Sequence, residues 1–225
     1  TCIVRVNVSK NYDKDIVLMF LSSQEKISKL AIVHRDHESV QYILNNLDFI
    51  TELLIDNLND EKVLNYLIKE IQLLLYNISE SLAEFEMTTN LKKAVKILGQ
   101  IGEHAVIKEV RGGAINDIFI SLDNIKQILF YQKEEKLIIE VALSFHEILK
   151  SLFSNHSVDS YSSLIYYGLQ YLDNISEEFL QEDMSLGIAR MRMIVSEIMV
   201  EAKKHNMNNL VEDVVLMQKR ISKNN

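Results

Sequence analysis

Apolar residues in this chain recur every three or four positions, the period of a helix that buries one face. Val40, Ile43, Leu44, Leu47, Ile50, Leu54 and Leu58 form one such stripe, and Leu91, Ala94, Val95, Leu98 and Ile101 form another. Short polar stretches separate the stripes. The pattern predicts a helix opened by Asp13 or Asp15 and running through Leu30, then four helix pairs. Asp36–Leu58 pairs with Glu61–Phe85, and a helix opened by Thr88 pairs with Ala114–Tyr131. Lys133–Phe153 pairs with Asp159–Gln181, and Asp183–His205 with Met207–Ile221. Only the start of the chain departs from this period. There Val4, Val6 and Val8 alternate with Arg5 and Asn7, as in a half-buried strand. The expected organisation is an extended segment over residues 1–12 and a helical domain over residues 13–225.

A short motif marks the register of the pairs. Leu122-Asp-Asn-Ile125 recurs as Leu172-Asp-Asn-Ile175 and, with one change, as Leu75-Tyr-Asn-Ile78. Leu47, Leu91, Leu137 and Leu186 keep a similar spacing in the alternate helices. Such a period belongs to helix-pair repeats, in which each unit buries its stripe only by stacking on its neighbours. The fold expected is all-α, a solenoid-like stack of about four antiparallel helix pairs; a single irregular bundle is the alternative. Asn is unfavourable inside a helix, because its amide competes for backbone bonds. Asn124 and Asn174 are therefore expected to bond an adjacent helix end, forming a ladder, unless they fall there by chance.

Two segments resemble known families. Leu98-Gly-Gln-Ile-Gly-Glu103, with Ala94 before it and Ala105-Val106 after, resembles the Leu-Gly-x-Ile-Gly segment of many HEAT-type repeats. That resemblance implies a HEAT/armadillo-like stack, although the proline frequent in such repeats is absent here. Ala114-Ile-Asn-Asp117 is similar to a segment of an uncharacterised family of bacterial membrane proteins with a soluble C-terminal part. Ile118 stands where that family has proline. This second resemblance implies a regulatory domain tethered through residues outside the chain, and a sequence beginning at Thr1 fits that expectation.

Composition narrows the function. The chain has no proline and six glycines, which suits long helices joined by short turns. Arg111-Gly-Gly113 is expected to be such a turn, with glycine supplying a positive φ. A net charge of −8 argues against general nucleic-acid binding. Charge is uneven, since the residues from Ile188 onward carry seven Lys/Arg against four Asp/Glu. A single cysteine, Cys2, excludes an internal disulfide and a cysteine-based zinc site, and fits a reducing, cytoplasmic setting. No apolar run approaches the length of a membrane span.

Candidate chemistry is sparse. His34 and His37 share a helix face with Asp36 and Glu38 close by, a candidate metal site that is better explained as a helix entry capped by Asp36. The Gly99 and Gly102 spacing lacks the pattern of a phosphate cradle, and its expected role is close packing of a neighbouring helix or a bend or end of its own helix. No nucleophile elbow occurs, so neither a catalytic residue nor a cofactor site is assigned. Tyr167 and Tyr171 share a face that either packs in the core with its hydroxyls reaching the surface or, with polar rims, anchors a partner. Six of eight methionines follow residue 183, among them Met191, Met193 and Met199. The helix after Met184 is apolar on two sides: Ile188, Met191, Val195 and Ile198 on one, and Leu186, Ala189, Met193 and Val200 on the other. Adaptable methionine on a helix that needs cover on both sides suggests a protein partner or self-association. The function expected is a non-enzymatic interaction or scaffold module; the alternative is a dimerising cytoplasmic regulatory domain of a larger membrane protein.

Overall fold

A computed structural model describes residues 13–110, 112–154 and 158–222. The strand expected near the start of the chain falls outside these residues. Among them are nine α-helices: α1 (Lys14–Val33), α2 (His37–Asn57), α3 (Glu61–Glu84), α4 (Thr88–Ile107), α5 (Gly112–Tyr131), α6 (Glu135–Ser154), α7 (Ser162–Gln181), α8 (Ser185–Lys204) and α9 (Asn208–Ser222). A 3-10 turn, Val158–Tyr161, precedes α7, so that helix opens three residues later than its pattern suggests. No helix among the described residues is long and apolar enough to cross a membrane.

Six connections share one geometry. Arg35, Glu86, Glu109, Lys133, Asp183 and Asn206 have φ between 52° and 60°, each just past the end of a helix. At the end of α4, the Val110 N–H donates to Ala105 O at 2.9 Å and the Glu109 N–H to Val106 O at 3.0 Å. At the end of α1, the Asp36 N–H donates to Ala31 O and the Arg35 N–H to Ile32 O. This pairing satisfies carbonyls that a helix end otherwise leaves open. The residue after each left-handed position then leads into the next helix, and Met87, Val110 and Met184 bury their side chains there. A three-residue reversal of this kind makes consecutive helices antiparallel. Between α2 and α3 the chain turns differently, through extended Leu58 and Asp60, whose carboxylate accepts from the Lys62 and Val63 N–H groups. The turn expected at the paired glycines has its left-handed residue at Glu109, while Gly113 lies inside α5 with φ negative. The helix-end hydrogen bonds, rather than glycine, hold that conformation.

The described residues form two compact units that divide between Ala94 and Val95, within α4. In the first, α1 packs on α3 and on α2, and α2 packs on α3. Asp13 caps α1 and Asp36 caps α2, as their positions suggest. The start of α4 is fastened to α2 by polar contacts. His37 Nδ1 lies 2.6 Å from Asn90 Oδ1, the Asn90 amide donates to His37 O at 3.1 Å, and Lys93 donates to Asn45.

The second unit has two layers. In one, the end of α4, then α6, then α8 lie side by side; in the other, α5, α7 and α9 do the same. Leu122, Ile125, Leu172 and Ile175 are fully buried between these layers, and the earlier copy, Leu75 and Ile78, is buried in the first unit. Burying each such side chain contributes about 1.5–3 kcal/mol. Polar contacts between successive pairs repeat the period. Ser144 donates to Val95 O, Lys126 to Glu178, the Gly187 N–H to Glu135 and Arg220 to Asp173, across 47–52 positions. The fold is therefore all-α and built from repeated helix pairs. The asparagines of the motif do not make the ladder expected of them, since Asn124 and Asn174 are exposed. Helix geometry explains this: with Leu and Ile three positions apart facing inward, the residue between them and next to Ile is turned out.

Close packing in the second unit depends on missing side chains. A Cβ on Gly99 would lie 2.8 Å from Ser144 Cβ on α6, and one on Gly187 would lie 2.4 Å from the Phe179 ring. The Gly99 and Gly102 pair thus lets α6 approach α4, as the sequence suggested.

Candidate binding groove on the second unit

A concavity of about 650 Å³ lies between α7 and α9. One wall comes from α7. Tyr166 and Tyr167 sit at successive positions of an amphipathic helix whose inward stripe is Leu164, Ile165, Leu169 and Leu172, so they fall at the edge and stay exposed, Tyr166 by about a third and Tyr167 by about half. The other wall comes from α9, where Leu210, Val214, Met217 and Ile221 form the buried stripe and Leu216 lies beside it, 57% exposed. The end of the groove is closed by charge. Arg220 bonds both carboxylate oxygens of Asp173 and also Glu177. Asp213 and Lys219 complete the rim. An apolar trough flanked by tyrosines with a charged rim can seat an apolar side chain and orient a polar partner around it.

The residues singled out from the sequence fall in different places. Tyr167 lines the groove and is 52% exposed. Tyr171, one turn on, is half-buried, with its ring stacked on Phe145 at 5.2 Å and tilted against Phe119 at 6.1 Å. Burial raises the pKa of its phenol first, and the nearby charges of Asp123 and Tyr167 raise it further. Met191 and Met199 are buried in the core beneath α8, whereas Met193 is exposed. His34 is exposed, and His37 is held by the Asn90 amide and carbonyl contact described above. Among the described residues no group of three His, Cys, Asp or Glu side chains is placed to hold a metal ion. Asn116 and Asp117 lie within the first two turns of α5.

Two polar features escaped the sequence reading. Lys126 is fully buried, and its ammonium lies 3.0 Å from Asp123 and 3.2 Å from Glu178. The equivalent positions after the other two motif copies are Ser79 and Ser176, both buried. Aligning the three copies one residue past the isoleucine exposes this lysine as the odd member. His146 is buried on α6, with Nε2 3.4 Å from Glu197 on α8 and Nδ1 3.9 Å from Glu147. Burial lowers its pKa most, the two glutamates work against that shift, and Lys150 and Arg190 reinforce it.

No family model and no curated protein matches the chain. One solved structure, described as a "Circular tandem repeat protein with novel repeat topology and enhanced subunit contact surfaces", is similar over 93% of this chain and 59% of its own. The identity is 9% and the TM-score 0.43, and this chain spans less than two thirds of that protein's length. The assignment as an all-α helical-repeat protein rests on the helices and their contacts described above.

Proposed function

We propose that the protein is a non-enzymatic interaction module of the HEAT/armadillo kind, and that it holds an amphipathic helix of a partner protein in the groove between α7 and α9. The observation that carries this reading is the groove itself, with Tyr166, Tyr167 and Leu216 exposed around a buried floor at Met217. Two roughly side-by-side helices leave a trough that a third helix fills by ridge-into-groove packing. Tyrosine gives contact area at low entropic cost, which suits an anchor position. The ion pairs of Arg220 leave Lys219 and Asp213 as rim charges to set the direction of the incoming helix.

The test is selection of helical peptides from a display library on the immobilised full chain. Peptides that bind with Kd near or below about 10 μM are expected. Their affinity should fall at least about tenfold with Tyr167→Ala and with Leu216→Asp, while Lys96→Ala on α4 leaves it unchanged. Failure to select binders, or binders indifferent to both groove substitutions, overturns the proposal.

A further inference from the structure

The repeat supplies its own internal control for surface positions. Counting from the left-handed residue before each of α2, α4, α6 and α8, the third, tenth and seventeenth residues are exposed, apart from half-buried Glu103 and Leu143. On α2 these are Glu38, Asn45 and Glu52, and on α4 they are Thr89, Lys96 and Glu103. On α6 they are Lys136, Leu143 and Lys150. On α8 all three are apolar. Leu186, Met193 and Val200 are 56%, 54% and 61% exposed. They stand seven residues apart, with small exposed Ala189 and Ser196 between them, which is the spacing of a seam between two helices. The buried side of the same helix is already occupied by α6, α7 and α9.

We propose that this face of α8 docks on the same face of a second copy of the chain, helix against helix and antiparallel, with Met193 on the two-fold axis. Charge argues for the copy and for the direction. Glu182 and Asp183 lie in the turn just ahead of α8, and the tail of α8 carries Lys203 and Lys204. An antiparallel pair sets each acidic head beside the basic tail of the other helix; a parallel pair would stack like charges. The helix dipoles favour the same direction. Arg190 and Glu197 stand one heptad apart along one edge of the seam, so the two-fold axis brings Arg190 to the partner's Glu197 twice. Glu197 is more than half exposed, and Arg190 Nη1 already lies 3.8 Å from Met193 Sδ, at the edge of the seam. The present partners of the terminal charges, Lys133 with Glu182 and Glu201 with Lys204, are surface pairs that exchange at little cost. The groove between α7 and α9 takes no part, so the two proposals stand or fall separately.

The experiment uses the full chain in a Cys2→Ser background. Sedimentation between about 1 and 200 μM should show a monomer–dimer equilibrium, with a Kd at least about tenfold weaker for Met193→Glu. Under mild oxidation Met193→Cys should cross-link to itself. Leu186→Cys and Val200→Cys should each fail to do so alone, and should cross-link when the two variants are mixed. If Met193→Glu loses helix content, charge reversal decides instead: Arg190→Glu should dissociate the dimer and Arg190→Glu with Glu197→Arg should restore it. A monomer throughout, a dimer indifferent to these changes, or self-cross-linking by Leu186→Cys overturns the proposal.

Discussion

Replacing the left-handed residues by glycine should stabilise the second unit. Glu109, Lys133 and Asp183 sit at φ of 54°, 60° and 54°, where a Cβ crowds the following carbonyl at a cost of about 1–2 kcal/mol. Glycine removes that cost but loses more conformational freedom on folding, about 0.5–1 kcal/mol relative to alanine. The net gain expected for Glu109→Gly is therefore about 0.5–1 kcal/mol. Lys133→Gly should gain less, because it forfeits the exposed ion pair with Glu182. Asp183→Gly should also gain less, because aspartate tolerates this conformation better than glutamate. The three sites lie in different loops, so their effects should sum to about 1–2 kcal/mol. For a chain of this size that is a rise in Tm of roughly 2–8 °C. Urea denaturation should show a higher midpoint with an unchanged slope. Glu109→Ala is the control, since it removes the charge and keeps the Cβ. Stabilisation by alanine equal to that by glycine, or destabilisation by glycine, would refute the backbone argument.

Further outcomes follow from packing and burial. Gly187→Ala and Gly99→Ala should each destabilise by about 1–3 kcal/mol in thermal or urea melts, because the added carbon meets the Phe179 ring or Ser144 Cβ. Gly102→Ala should cost less, since its clash is with the flexible end of Ile148. Lys126→Ala should cost about 2–4 kcal/mol, leaving two carboxylates facing each other at a quarter exposure, and Lys126→Met with Glu178→Gln should recover part of it. His146 has its pKa lowered in the folded chain, so the unfolded chain binds the proton more readily. Stability should therefore fall as pH drops below about 6.5, the unperturbed value, and His146→Gln should flatten that slope in melts between pH 5 and pH 8.

Helix number and order were legible in the sequence because each helix carries an unbroken apolar stripe and most have an acidic or polar residue at the entry. The turns were less so. Left-handed glutamate, lysine and arginine carry no compositional mark, and the paired glycines at Gly112-Gly113 drew attention away from Glu109. The motif pointed to the correct buried positions through its leucine and isoleucine, but its asparagine faces solvent. Of the groove, only the tyrosine wall was visible. Leu216 and Arg220 belong to a later helix, Arg220 being 47 positions beyond Asp173, and only tertiary packing brings them opposite Tyr167 and Asp173. Periodicity correctly separated the two apolar sides of α8. Deciding that Met191 and Met199 belong to the buried side, and Met193 to the exposed one, required the neighbouring helices.

We propose above all that the surface between α7 and α9 receives a helical partner. Hydrogen–deuterium exchange of the full chain, with and without a selected peptide, tests it most directly. Slowed exchange confined to residues 166–173 and 213–220, with α2 unchanged, is the expected result. Protection on other helices with none in those two segments would contradict it.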